Sequence, residues 1–296
     1  MDRKGLNTMK LPLWRREAIL AVVLSLYCLL CSGCGAVSDK PADQELSLVL
    51  AGMDGTDGVS FEGAATLLLG GKPVEQTALY YGGKVADHNK VSLYTLLPDE
   101  NGETKAAAKA GLKKLEQRQT PEAYYTQLEK KDGEWTMLTG APAANAGNPL
   151  PALNPLLQLE ELEGNEKKVT KRAGAARGTK ELRVELTPGE ARKQLSAELE
   201  REMLLIRPSG DSKPQEASGK PKKVNETMLA LWEQKDEELR QRLEQAEISS
   251  VYYLKVDVKR NLPKRLTWTR KVKYPSAAGS DAEETYITKV DFYGFR

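Results

Sequence analysis

Three stretches near the end of the chain alternate apolar and polar residues with a period of two. In "SVYYLKVDVKR" (250–260), Tyr252, Leu254, Val256 and Val258 share one face, and Lys255, Asp257 and Lys259 share the other. "LPKRLTWTRKVKY" (262–274) sets Leu266, Trp268, Val272 and Tyr274 against Arg265, Thr267, Thr269, Lys271 and Lys273. "ETYITKVDFYGF" (284–295) offers Tyr286, Val290 and Phe292. Successive side chains of a strand point to opposite faces, so this pattern demands a sheet with one covered face and one wetter face. The rest of the chain must then supply the cover.

Further strand signals precede these three. "VSFEGAATLLLGGKPVEQTALYYGGKV" (59–85) reads as two strands around the Gly-Gly-Lys-Pro turn at 70–73, and "NKVSLYTLLP" (89–98) alternates Val91, Leu93, Thr95 and Leu97. In "YYTQLEKKDGEWTML" (124–138), Asp132-Gly133 between two strand-like runs is a hairpin signal. "EKKVTKRAG" and "TKELRVELTP" (166–174 and 179–188) form another hairpin.

Candidate covers have helical spacing. A short helix is expected over 45–53, and a second over 153–164, with an Asn start and Pro155 in its first turn. Over 188–206, Ala191, Leu195, Leu199 and Met203 step by four. The longest helix is expected over 224–247, with Met228, Trp232, Leu239 and Leu243 along one side. A polar Ala/Lys-rich stretch occupies 99–119, and a Pro/Gly/Ala linker 140–152. The segment 207–223 is rich in Pro, Gly, Ser and Lys without periodicity and reads as a disordered insertion. These elements make an α+β fold: a curved antiparallel sheet of meander connections, with helices covering its concave face.

The beginning of the chain has a different character. Residues 1–17 carry five basic and two acidic residues, and 18–31, "AILAVVLSLYCLLC", hold no charge. Fourteen helical residues rise only about 21 Å, short of a hydrocarbon core of about 30 Å. A basic leader, a short apolar run and small residues at its end describe an export signal. Cys28, Cys31 and Cys34 are the chain's three cysteines. "LCSGC" (30–34) resembles a bacterial lipobox, with Cys31 standing where that family usually has Leu. The resemblance implies cleavage before Cys34 and a diacylglycerol on its thiol. The alternatives are a signal-anchor helix, or a signal cut elsewhere. On the lipobox reading, 1–33 is the signal peptide, 34–44 a lipidated tether and 45–296 the folded domain. Two acyl chains suffice for stable membrane anchoring, which would hold the protein on the extracytoplasmic face of a bacterial membrane.

Removing the leader takes five basic and two acidic residues from totals of 44 and 42, leaving 39 and 40. The near-neutral balance gives no global attraction for nucleic acid, and export argues against it as a partner. No cysteine follows Cys34, so stability must come from a core rather than from intrachain disulfides.

The order of early strands, the "EKKDGEW" hairpin, the "LNPLLQLEEL" helix, the "VKRNLPKRLTW" turn and the closing "DFYGF" are similar to lipoproteins with a LolA-like fold. That group includes a periplasmic carrier of lipoproteins and mycobacterial lipoproteins that hold acylated lipids. The resemblance spans about 59–295 and rests on order and pattern. It implies an unclosed barrel whose hollow is capped by helices. The segment 207–223 departs from it, and the carrier's own role does not transfer to a chain that is itself lipid-anchored.

Signatures of catalysis are sparse. No G-x-S-x-G, P-loop or Rossmann fingerprint is present. His88 is the single histidine and reads as a surface turn residue; with no thiol after Cys34, it excludes His/Cys zinc clusters. Glu160, Glu161 and Glu163 read as the exposed acidic face of a helix. Two basic runs, 167–180 and 259–273, read either as solvated strand faces or as contacts with anionic headgroups or wall polymers. The chain is therefore expected to be non-catalytic, without cofactor or metal. It is expected to bind an apolar ligand such as lipid on a concave face built by Tyr252, Leu254, Val256, Leu266 and Trp268. The alternative is an envelope assembly or signalling lipoprotein with a solid core, acting through protein partners.

Overall fold

The computed structural model describes residues 40–96, 124–138, 148–208, 221–275 and 282–296. Apart from Lys40, these belong to one contact unit, Pro41–Arg296. Cys34, the signal and most of the tether lie outside the described residues, as do 99–119 and most of 139–152 and 207–223.

The chain opens with helix α1 (Ala42–Asp54), followed by β1 (Gly58–Leu69), a two-residue β2 (Lys72–Pro73), β3 (Leu79–Ala86) and β4 (Lys90–Thr95). Next come β5 (Tyr125–Lys131), β6 (Glu134–Met137), a 3-10 turn (Leu150–Leu153) and α2 (Pro155–Gly164). The second half holds β7 (Lys167–Arg172), β8 (Thr179–Leu186), α3 (Pro188–Leu205), α4 (Pro221–Gln245), β9 (Glu247–Asp257), β10 (Pro263–Tyr274) and β11 (Ala282–Tyr293). Two boundaries differ from the sequence reading. α1 begins at Ala42, so the last three residues assigned to the tether are helical. α4 begins at Pro221, so the insertion is shorter than 207–223 at its C-terminal end; Pro at a first helical position costs no backbone hydrogen bond.

All strands join one antiparallel sheet in the order β6-β5-β4-β3-β1-β11-β10-β9-β8-β7, with β2 beside β1. It consists of two meanders, β1 to β6 and β7 to β11, joined where the first strand pairs with the last: Phe61 faces Phe292 and Gly63 faces Val290. The two outer strands, β6 and β7, do not pair with each other, so the sheet is not closed into a barrel. It nevertheless wraps around its helices. Trp135 of β6 donates its indole N–H to Glu160 of α2, and neighbouring Glu161 accepts from Gln194 of α3, which lies over β9.

Local chemistry explains the element ends. Asp132 and Gly133 both take positive φ, 52° and 87°, as a two-residue hairpin turn requires. The Asn154 side chain accepts from the Leu156 N–H at 3.1 Å and starts α2, with Pro155 at its first position. Thr187 caps α3 through the Glu190 N–H. Two glycines are required by close approach: a Cβ on Gly63 would lie 2.6 Å from the Tyr81 ring, and one on Gly83 would lie 2.3 Å from the Phe61 ring. Each ring therefore fills the space over the glycine it faces across the β1–β3 pair.

The inward residues of nearly every strand form one apolar cluster with Leu46, Val49, Leu50 and Met53 of α1, Leu156, Leu159 and Leu162 of α2, Ala191 and Leu195 of α3, and Leu243 of α4. The cover thus draws on all four helices and on the 3-10 turn. Val258 falls beyond the end of β9 and is exposed, correcting its placement on the covered face. Met228 is exposed as well, because the outer part of α4 runs clear of the cluster.

Charges complete the scaffold. Glu45 is buried in α1 and meets Lys171 at 2.9 Å and Lys180 at 3.4 Å, so two lysines of the first basic run are internal partners. In the second run, Arg265 makes a two-pronged contact with Asp291 at 2.7 and 2.9 Å, and Lys264 reaches Asp257 at 2.9 Å. His88 sits in a turn at φ 61° with Nε2 3.0 Å from Asp57.

Candidate ligand site

The five residues expected to line a concave face do point together. Tyr252, Leu254, Val256 and Leu266 are fully buried and Trp268 is 4% exposed. Antiparallel pairing sets Tyr252 opposite Trp268 and Leu254 opposite Leu266. The Tyr252 and Trp268 rings stack at 5.5 Å, nearly parallel, and Tyr286 of β11 meets Trp268 edge-on, also at 5.5 Å. Both geometries are favourable for aromatic quadrupoles. The three rings form a strip across β9, β10 and β11.

The strip is tied to its cover by polar groups. Trp268 donates its indole N–H to Ser250 Oγ at 2.7 Å. Gln194 of α3 donates to the Tyr252 hydroxyl at 2.8 Å and to Glu161 of α2. Arg270, the next inward residue of β10 after Trp268, is buried and donates to both carboxylate oxygens of Glu198 on α3. Its guanidinium lies 5.0 Å from the Trp268 ring centre and 5.5 Å from that of Tyr286, within cation–π range. Burial pushes the Tyr252 and Tyr286 phenols well above their ordinary range, so both stay protonated. Burial also raises the Glu161 carboxyl, against the opposing pull of the Gln194 hydrogen bond. Glu161 is half-buried and engaged, which corrects the expectation of a wholly exposed acidic face on α2; Glu160 is engaged too, with Trp135 and with Lys130 at 3.1 Å.

Between α3 and α4 lies a groove of about 200 Å³, lined by residues of these two helices and by none of the three rings. Leu199, Leu239 and Leu243 line it together with the polar Arg192, Ser196, Glu200, Asp236, Arg240 and Glu244. Beyond it the two helices part from the core. Trp232 donates to the Met203 carbonyl at 2.9 Å under the Arg207 guanidinium, while Leu204, Leu205, Ile206, Met228 and Leu231 are exposed.

Arg270, Glu198 and Gln194 did not figure among the expected site residues. Arg270 has the inward parity of Leu266, Trp268 and Val272, and that parity was the available signal. Its charge argues for the wet face, and only a partner on a sequence-distant helix makes it an inward residue. Among the described residues no group of three or more His, Cys, Asp or Glu is placed to hold a metal ion, and no helix is long and apolar enough to cross a membrane.

No family model and no curated protein matches the chain. Solved structures show distant likenesses. Lipovitellin, in a structure concerned with lipid–protein interactions, is similar at 7% identity and TM-score 0.35; the match covers 81% of this chain and only 25% of lipovitellin. LprF from Mycobacterium bovis is similar at 9% identity and TM-score 0.32, over 86% of this chain and 92% of LprF. The LolA superfamily protein NE2245 from Nitrosomonas europaea is similar at 8% identity and TM-score 0.23, over 87% and 93%.

Proposed function

We propose that this chain is a non-catalytic extracytoplasmic lipoprotein, anchored through Cys34, that holds an apolar ligand such as an acyl chain between the sheet and the α3–α4 cover. The observation that carries the reading is the asymmetry of that cover. α3 has eighteen residues, yet only Ala191 and Leu195 are buried. Its outer half meets the sheet through Glu198–Arg270 and shares with α4 a groove holding Leu199, Leu239 and Leu243 among polar residues, while leaving its own Leu204 and Leu205 in water. An acyl chain entering the seam exchanges exposed apolar surface for buried surface, at about 0.8 kcal/mol per buried CH₂.

A second reading keeps the same anchor but gives the protein a solid core and protein partners. It is favoured by the close packing of Tyr252, Leu254, Val256, Leu266 and Trp268, none more than 4% exposed. Native mass spectrometry of gently extracted full-length protein separates the two. A co-purifying lipid adduct is expected for a carrier; bare protein across extractions, with no uptake of added fatty acid, would establish the solid-core module instead. For the anchor, metabolic labelling with a palmitate analogue should mark the native protein and leave Cys34→Ala unmarked. Label retained on the variant would defeat the lipobox reading.

A further inference from the structure

The two basic runs come together at one end of the sheet, beside the first turn of α1. The β7–β8 tip (173–178) and the β9–β10 tip (258–262) are joined by the Val258 N–H, which donates to the Gly178 carbonyl at 3.1 Å. Lys180 donates to Asn261 at 3.0 Å and also pairs with Glu45. Gly52 of α1 lies so close to the second tip that a Cβ on it would stand 3.0 Å from the Asn261 carbonyl oxygen. Glu45 belongs to the first turn of α1 and reaches Lys171 of β7 as well. An ionised carboxylate this buried needs its cations, so the start of α1 stays with the hairpin. Ala42 opens that turn, eight residues after Cys34. Eight residues span at most about 29 Å. Both tips are therefore held close to an anchor on Cys34.

The tips have cations to spare. Lys264 is taken by Asp257 at 2.9 Å and Arg172 by Glu181 at 3.0 Å. Arg177, Lys259 and Arg260 are exposed, and among the described residues no carboxylate forms an ion pair with them. The Asp257 carboxylate accepts from the backbone N–H groups of Lys259 and Arg260 at 2.9 and 3.1 Å, which fixes the turn that presents both side chains. Val258, 43% exposed, stands beside them. The acids of this end are Asp54, which closes α1, and Asp57 and Asp87, which meet His88 and Lys90. Unpaired cations around an exposed apolar side chain complement an anionic lipid surface. We propose that the tips 173–178 and 258–262 are a foot that seats the domain on anionic phospholipid headgroups of the membrane holding its anchor. The inference rests on the anchor reading and adds to it a lipid class and an orientation. α3 follows β8 at the end of that strand away from its tip, and α4 leads into the same end of β9. The foot therefore puts the base of the α3–α4 pair at the far end of the sheet from the bilayer.

The test is amine footprinting. The full chain is reconstituted into vesicles of pure phosphatidylcholine, or of equal parts phosphatidylcholine and phosphatidylglycerol, floated on a density gradient, acetylated and read by mass spectrometry. Lys259 and Lys264 report the foot; Lys72, exposed in β2 at the other end of β1, is the control. Lys259 and Lys264 should acetylate about fivefold more slowly on the anionic vesicles, with Lys72 unchanged, and molar salt should abolish the difference, as screening requires. In the triple variant Arg177→Gln, Lys259→Gln, Arg260→Gln, Lys264 should label alike on both vesicles. Its melting temperature should match that of the parent, because all three positions are exposed. Equal labelling of Lys259 on both vesicles, or equal slowing of Lys72, would overturn the foot and leave the anchor standing. Slowing on neutral vesicles that grows with protein density would also overturn it, and would assign the tips to a second copy. A chain that floats with neither vesicle would overturn the anchor and the foot with it.

Discussion

The base and the tip of the α3–α4 pair use similar apolar spacing and end differently. At the base, Ala191, Leu195, Leu243 and Ala246 are buried, and Arg192 ties the helices together through the Ala246 carbonyl at 3.0 Å. At the tip, Leu204, Leu205, Ile206, Met228 and Leu231 are between 48% and 65% exposed. The base stands on the inward residues of β8 and β9, which belong to the same cluster as Leu195 and Leu243. Midway, Arg270–Glu198 ties α3 to the sheet, and beyond it the Trp232–Met203 hydrogen bond links α3 only to α4. Helical periodicity thus specifies which residues share a face. What that face meets depends on how far the sheet extends beneath it.

The comparison breaks most directly by truncating one leucine at each end. Leu195→Ala leaves a cavity in the core and should cost about 2–5 kcal/mol. Leu205→Ala removes little buried surface and should stay within about 0.5 kcal/mol. Denaturant melts of the full chain measure both. Equal losses at the two ends would mean that the tip is packed in solution, and the open-seam argument would fall with it.

A smaller effect sharpens the boundary between base and tip. If Arg270–Glu198 latches α3 to the sheet, Arg270→Met strands a partly buried carboxylate and should cost about 3 kcal/mol. The double variant Arg270→Met, Glu198→Met should recover much of this, as coupled partners do. Hydrogen exchange should quicken in 199–205 and remain slow near Leu195. Uniform quickening along α3 would indicate a general loss of packing rather than a released latch.

Much of this architecture was legible in the sequence. Strand alternation at 252–256 and 266–268 identified the inward residues, Asp132-Gly133 marked its hairpin, and Asn154-Pro155 marked the start of α2. Each is a local rule, set by pleat, turn dihedral or cap. What escaped depends on partners far apart in sequence. Arg270 faces inward because Glu198, 72 residues away, meets it there. The basic run at 167–180 reads as solvent-facing until Glu45 is found buried between Lys171 and Lys180. Val258 kept the right parity but lies past the point where β10 stops pairing with β9.

The smallest expected effect probes the polar join between α2 and α3. Burial raises the Glu161 carboxyl above its ordinary value near 4.5. A carboxyl raised on folding contributes stability that is fully present below the unfolded value and is lost as pH climbs through the folded one. The charged form is therefore the costly form at neutral pH, even with Gln194 donating to it. Glu161→Gln keeps an acceptor oxygen for Gln194 and removes the charge. Its melting temperature should exceed that of the parent at pH 7 by a degree or two, and the difference should shrink toward pH 4, where the parent is protonated as well. A melting point lowered at pH 7 by Glu161→Gln would mean that the carboxylate itself holds α2 to α3. The cover would then be fastened to its neighbours by two charges, Glu161 and Glu198, and the α3–α4 seam would be harder to open than the packing of α3 implies.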